Sequence, residues 1–138
     1  MKGEFPPRYL SGEVQRINSD ATISGLLDLG FNVHVQVKLS VEGLSLRGLS
    51  KPTYDMAMHC LLVLLGGKDF FALTPYIEGN TALARVFLAA RVRDPHAPGL
   101  TTLEGVSQPV LEVATFMSYI AQNRYDVGLV KRALNGTP

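Results

Sequence analysis

The clearest pattern in the chain is a strict alternation of apolar and polar residues over 33–41. The apolar members are Val33, Val35, Val37, Leu39 and Val41. Because a period of two places successive side chains on opposite faces, the pattern predicts a half-buried strand. Two shorter apolar stretches precede it, at 14–17 and 22–29, and both are predicted strands. The residues between them, Asn18, Ser19 and Asp20, are typical of a turn.

The rest of the chain predicts helices among further strands. A helix is predicted to begin near Pro52 and to end at Gly66 and Gly67, and its apolar positions share helical spacing: Met56, Cys60, Leu61, Leu64 and Leu65. Strands are predicted at 44–49, 68–74 and 83–92, and an exposed loop rich in proline and glycine at 94–105. A second helix is predicted from Val110 to about Asn123, with Pro109 in its first turn, and a short final helix at 127–134.

This order of elements predicts one α+β domain built on a small barrel. Pro6, Pro7 and Gly12 indicate a flexible lead-in over 1–12, with regular structure starting near Glu13. The domain is expected to span 13–134, followed by a tail at 135–138. Short strands with a helix between the third and fourth favour a five-stranded OB-type barrel with two or three helices.

Composition narrows the class of protein without indicating a function. The 138 residues are 46% hydrophobic and 18% charged, enough apolar material for a core. Lysine and arginine number 13 against 12 acids, so the net charge of +1 carries no overall signature of nucleic-acid or membrane binding. A single cysteine, Cys60, excludes an internal disulfide. With no signal-like or membrane-spanning apolar segment, we expect a cytoplasmic protein without membrane contact.

Several short strings, in this order, resemble motifs of the staphylococcal nuclease (thermonuclease-like) family. The stretch 19–22, Ser-Asp-Ala-Thr, resembles the family's D-G-D-T turn, and 28–31, Asp-Leu-Gly-Phe, resembles the D-L-G-F string that follows it. The stretch 45–53 resembles R-L-x-G-I-D-x-P-E, and Arg85 stands before a small apolar strand as in a third motif. The resemblance covers about residues 13–130 and implies the family's OB-type barrel.

The same resemblance implies that most of the nuclease chemistry is lost. The family's two metal-binding aspartates fall on Ala21 and Ser50, its glutamate on Thr53 and its first arginine on Ser45, so only Arg85 matches. A hard divalent cation needs several oxygen ligands, usually with carboxylates among them. We therefore expect no catalytic residues and no cofactor, and a pseudo-nuclease that binds a protein or a nucleic acid. Known members suggest a phage or bacterial origin, with a regulatory or inhibitory role.

Two alternatives remain open. One is a phosphodiesterase dependent on Ca²⁺ or Mg²⁺, with a relocated site at Asp20, Glu42 and Arg85. The other is a purely structural or assembly protein. Asp28 and His34 are expected to be ordinary strand residues, and His59 an ordinary helix residue.

Two sets of residues are predicted binding surfaces. The phosphate-binding candidates lie on or beside predicted strands: Arg85, Arg91, Arg93 and Lys68. Arg91 and Arg93 would project to the same face of a regular strand. The second helix carries more apolar residues than a narrow buried stripe needs, so it is a candidate for self-association or for a protein partner through Phe116, Tyr119 and Ile120.

Overall fold

The computed structural model describes residues 9–135, and the ends of the chain on either side lie outside the described residues. Within that range are seven strands and three helices. They are β1 (Tyr9–Ile17), β2 (Ile23–Gly30), β3 (Val33–Val41), α1 (Lys51–Leu65), β4 (Asp69–Glu78), β5 (Thr81–Leu88), β6 (Leu100–Thr101), β7 (Val110–Glu112), α2 (Val113–Gln122) and α3 (Val127–Asn135).

Five of these strands form a closed barrel. Antiparallel pairs follow the order β3-β2-β1-β4-β5, and β5 then pairs in parallel with β3, residues 81–84 against 38–41. Strands β7 and β6 extend the sheet from β5. With a helix between its third and fourth strands, this is an OB-like α+β barrel, as the sequence predicts.

Alternating side chains of the strands fill the barrel and the helices close it off. Leu27, Leu39 and Phe70 are fully buried inside. A Cβ atom at Gly12 would lie 2.5 Å from the Phe70 ring, so glycine is required where the ring crosses β1. The three helices add their own buried residues to the same core, among them Leu61 of α1 and Val130 of α3.

Helix α1 begins and ends with the signals that the sequence contains. Ser50 is its N-cap, and its Oγ accepts a hydrogen bond from the Thr53 N–H at 3.4 Å. Pro52 lies in the first turn, where a missing N–H costs nothing. At the other end, Lys68 Nζ donates to the Val63 carbonyl at 2.9 Å and satisfies one of the last-turn acceptors.

Several predicted boundaries are wrong in the first half of the chain. Strand β1 begins at Tyr9, four residues before Glu13, because residues 9–13 pair with β4. The predicted strand at 44–49 is irregular, and its alternating leucines pack inward from a loop bracketed by Gly43 and Gly48, both at positive φ. Strand β4 continues past Pro75 to Glu78, since a register shift between Leu73 and Tyr76 accommodates the proline.

The second half shows three further differences. Strand β5 ends at Leu88, not Val92, so the arginines beyond it are not strand residues. The predicted loop contains the short strand β6. Residues 110–112 form β7 instead of helix, because Leu111 and Glu112 pair with Leu88 and Phe87 on β5. None of the helices within 9–135 is long and apolar enough to cross a membrane.

Candidate functional site

A cleft of about 400 Å³ lies where the family resemblance places the nuclease centre. Its walls include Asp20, Ala21, Ser45, Arg47 and Tyr54. The turn between β1 and β2 supplies the first two, the loop after β3 the next two, and α1 the last. The Tyr54 hydroxyl donates to the Ser19 carbonyl and ties the helix to the turn. Of the positions that the resemblance aligns with the nuclease centre, Ala21 and Ser45 line this cleft.

Both carboxylate oxygens of Asp20 already have partners. Its Oδ1 accepts the Thr22 hydroxyl at 2.6 Å and the Thr22 N–H at 3.2 Å, and its Oδ2 lies 2.9 Å from Lys38 Nζ. The Thr22 hydrogen bond, followed by that from Lys38, lowers the pKa of Asp20 from 3.8 to about 2. The lysine therefore already neutralises the Asp20 carboxylate.

The other residues at the family's metal positions do not supply ligands. Ala21 has no side-chain oxygen, and it adopts a positive φ of 68° within the turn. Ser50 Oγ donates to Thr53 Oγ1 at 3.0 Å as well as capping α1. Across residues 9–135 no three His, Cys, Asp or Glu side chains are grouped so as to hold a metal ion. The residues present do not fit a divalent cation here.

Arg85 lies in a different cleft, of about 260 Å³, together with Glu42 and Glu112. Its Nε donates to Glu112 Oε2 at 2.9 Å, and its guanidinium stacks over the Phe87 ring at 5.2 Å. The ion pair raises the pKa of Arg85 and lowers that of Glu112. Asp20 lines the first cleft, whereas Glu42 and Arg85 line this one, so the three residues of the alternative metal site do not share a cleft.

The remaining phosphate-binding candidates separate into two groups. Lys68 is partly buried at the end of α1, where desolvation lowers its pKa. Its ammonium is already engaged in the hydrogen bond to the Val63 carbonyl of the helix. Arg91 and Arg93 are exposed in the irregular segment after β5. The Arg93 N–H donates to the Ala133 carbonyl at 2.9 Å, so the backbone at Arg93 packs against α3, which also carries the exposed Lys131 and Arg132. We call the group the basic cluster: Arg91, Arg93, Lys131 and Arg132.

The partner-interface candidates of α2 belong to the chain's own core. Phe116 and Ile120 are buried, with 1% and 0% of their surface exposed. Tyr119 is partly buried, and its ring packs against Phe116 at a centroid distance of 5.9 Å. The prediction of an exposed interface through Phe116 and Ile120 is wrong, because the core of a barrel with three helices uses more of α2 than one narrow stripe.

A different apolar surface is exposed, at the hairpin joining β2 to β3. We call it the apolar tip: Leu29, Phe31 and Val33, whose exposed fractions are 44%, 99% and 51%. Phe31 and Asn32 form the two-residue link between the strands, and both have positive φ. Such links favour Asn and Gly, so a phenylalanine is an unusual residue at this position.

Beside the tip lies a cleft of about 320 Å³ on the outer face of β1, β2 and β4. We call it the acidic cleft after its three exposed carboxylates: Glu13, Asp28 and Asp69. Glu13 and Asp69 are directly opposite each other on paired strands. Asp28 pairs with His34 immediately before the hairpin link, and its Oδ1 accepts the Gly30 N–H at 2.8 Å.

The other titratable residues named from the sequence are either exposed or buried in the core. His34 and His59 are exposed. Cys60 is buried in the core, and its Sγ lies 3.3 Å from the Tyr125 carbonyl. Burial, followed by the charge of Asp126, raises the pKa of the Cys60 thiol to about 11, which leaves it unreactive at neutral pH.

Comparisons with protein-family models, curated proteins and solved structures find no match to this chain. Membership of the staphylococcal nuclease family stays a prediction from the sequence motifs.

The residues of the apolar tip and the acidic cleft are not predicted as surface features from the sequence. Phe31 ends the string that resembles D-L-G-F, and its place between two predicted strands is the signal for a two-residue link. Glu13 and Asp69 become neighbours only through the pairing of β1 with β4. Glu112 gave no sign of pairing with Arg85, since that contact depends on β7.

Proposed function

We propose that this chain is a non-catalytic binding module of the cytoplasm, a pseudo-nuclease that acts by contact with a protein. The observation that supports this most directly is the apolar tip. Three large apolar side chains there remain in water, with Phe31 99% exposed. A soluble domain rarely exposes contiguous apolar side chains unless they meet a partner.

The backbone at the tip supports the same proposal. A bulky residue at positive φ costs of order 1–2 kcal/mol, and Phe31 recovers nothing from burial because it is exposed. Strain of this kind is most often found at functional sites. An aromatic ring on a rigid hairpin also loses little conformational freedom when it binds, which suits a contact residue.

The chemistry at the former nuclease positions supports a non-catalytic role. Metal clamps the phosphate and activates the nucleophile in such enzymes. Here Asp20 is paired with Lys38, and Ser50 caps a helix. We expect no chelator-sensitive cleavage of DNA or RNA in the presence of Ca²⁺ or Mg²⁺. Cleavage that Asp20→Asn abolishes would contradict the proposal.

A crosslinking experiment tests the contact surface itself. A photoreactive benzoyl-phenylalanine replaces Phe31, and the same group replaces Glu104, an exposed loop residue, as the matched control. Irradiation of cells that express each variant is expected to give a discrete protein adduct from position 31 and none from position 104. The proposal fails if position 31 gives no adduct or gives the same adducts as the control.

The basic cluster favours a second candidate function, binding of a nucleic-acid backbone. Its four cations are exposed and stand on two segments joined by the hydrogen bond from Arg93 to Ala133, and phosphate contacts need little more than such charge. Fluorescence anisotropy with labelled single-stranded DNA tests it. Binding that weakens with salt and is lost in Arg91→Ala with Arg93→Ala would support this function, whereas no difference from the wild type would exclude it.

A further inference from the structure

We propose that the cleft beside the turn between β1 and β2 binds a small 2-oxo acid, whose carboxylate pairs with Arg47. The cleft has a volume of about 400 Å³, and we call it the Arg47 cleft. None of its lining residues belongs to the apolar tip. The site is therefore additional to the protein contact under the proposed function, and each of the two can fail without the other.

The Arg47 cleft presents hydrogen-bond donors and has few acceptors left. Among the described residues that line it, Asp20 is the one carboxylate, and both of its oxygens already have partners. Arg47 forms no ion pair within residues 9–135, so its guanidinium is open to a ligand. The exposed hydroxyls of Ser40 and Ser45 can also donate. A ligand that accepts hydrogen bonds matches this lining.

The charge of the cleft favours a ligand with a single negative charge. Lys38 lies 2.9 Å from Asp20 and neutralises it, so Arg47 provides the one uncompensated charge among the described lining residues. A guanidinium and a carboxylate match in charge and can form two parallel hydrogen bonds. A phosphate monoester carries a charge of about −1.5 to −2 at neutral pH. The lining residues within 9–135 include no second cation to balance that charge.

Aliphatic side chains form another wall of the cleft and indicate the rest of the ligand. Val41 and Leu46 are buried, and Leu44 is partly buried beside them. A short hydrocarbon chain placed against this wall would be removed from water, which is favourable. Small-molecule sites generally combine an apolar lining with a few polar groups that fix the orientation of the ligand.

A 2-oxo acid combines these properties, whereas the amino acid with the same skeleton does not. The carboxylate and the ketone of a 2-oxo acid only accept hydrogen bonds, and the rest of the molecule is hydrocarbon. An amino acid carries an ammonium group in place of the ketone. Serine hydroxyls can accept from an ammonium, but the guanidinium of Arg47 only donates, and its charge repels a cation held next to the bound carboxylate.

The walls of the cleft are held in place before any ligand binds. Leu46 anchors the loop that carries Ser45 and Arg47, because its side chain packs into the main core. The Tyr54 hydroxyl donates to the Ser19 carbonyl and fixes α1 against the turn. A site that is already ordered loses less conformational entropy on binding, which favours even a small ligand.

A titration followed by ¹H–¹⁵N NMR tests the ligand class. The probe is 4-methyl-2-oxopentanoate, and the comparison ligands are leucine, inorganic phosphate and a thymidine dinucleotide. The oxo acid is expected to shift the amide signals of residues 20–22 and 44–47 and to saturate with a dissociation constant of about 1 mM or lower. Leucine, phosphate and the dinucleotide are expected to bind at least about tenfold more weakly.

Variants test the assigned contacts. Arg47→Gln is expected to weaken binding of the oxo acid about tenfold or more, because a charge-assisted pair is lost. Arg132→Gln is the matched control, since it removes the same charge from an exposed position on α3 and is expected to leave binding unchanged. Ser40→Ala with Ser45→Ala is expected to remove the preference for the oxo acid over 4-methylpentanoate, which lacks the ketone. Circular dichroism shows that each variant is folded.

Four outcomes overturn the proposal. They are an oxo acid that does not saturate the protein below about 10 mM, signal shifts confined to residues outside the cleft, an Arg47→Gln variant that binds as the wild type does, and equal loss in Arg132→Gln. Tighter binding of phosphate or the dinucleotide would also overturn it, because the cleft would then be a phosphate site. The crosslinking result at position 31 bears only on the protein contact.

Discussion

Replacement of Phe31 by asparagine is expected to stabilise the monomer. The link between β2 and β3 requires positive φ at both of its residues, and Phe31 adopts +53°. Asparagine tolerates this conformation because its short polar side chain can hydrogen-bond locally. The ring contributes no burial that could be lost, since Phe31 is 99% exposed.

The expected change in the free energy of unfolding follows from the backbone conformation alone. A left-handed conformation costs roughly 1–2 kcal/mol for an ordinary residue, and asparagine avoids part of that cost. We expect Phe31→Asn to raise the free energy of unfolding by about 1 kcal/mol, which corresponds to about 4 °C in Tm for a domain of this size. The assay is urea denaturation followed by circular dichroism.

Phe31→Ala separates the backbone from the ring. It removes the aromatic side chain but retains a Cβ atom and its strain, so its stability is expected to match the wild type. A gain in Phe31→Ala equal to that in Phe31→Asn would refute the argument from strain. A loss of stability in Phe31→Asn would show that the ring packs against the folded chain.

Three further predictions concern the turn, the thiol and the core. Thr22 and Lys38 hold the pKa of Asp20 at about 2, so the contribution of this carboxylate to stability is complete above its ordinary pKa of 3.8 and is lost as pH falls towards 2. Across that range, the free energy of unfolding is expected to depend less on pH in Asp20→Asn than in the wild type. Cys60 is expected to react with a thiol reagent only after denaturation, and modification of the native protein at neutral pH would contradict its burial. Phe116→Ala is expected to cost about 3–5 kcal/mol by denaturation, and a loss below about 1 kcal/mol would place Phe116 at the surface.

The regular elements could be predicted because each has a local signal. The alternation over Val33–Val41 gives β3 its observed bounds, and Pro52 with Gly66 brackets α1. The errors fall where pairing with a distant strand overrides the local pattern. The predicted second helix includes 110–112, yet Leu111 and Glu112 pair with β5, and Tyr9 closely follows two prolines, yet it pairs with Leu73.

The candidate site is harder to predict from the sequence than the regular elements, for the same reason. Ala21 and Ser45, which the motif strings assign to one centre, both line one cleft. Arg85 was assigned to that group, but its position on β5 brings it to Glu42 and Glu112 instead. The burial of Phe116 and Ile120, and the exposure of Phe31, depend on which surfaces the finished barrel covers, and no local periodicity contains that information.

The parallel pairing of β3 with β5 has a consequence for synthesis on the ribosome. Strand β3 keeps one free edge until residues 81–84 have left the exit tunnel, and β1 lacks its second neighbour until β4 has emerged. Nascent chains that stop within α1 would present unpaired strands and an uncovered apolar interior to the cell, which are conditions that lead to aggregation. We expect such truncated chains to be held by chaperones, and chaperone release to coincide with the emergence of Leu88 from the exit tunnel.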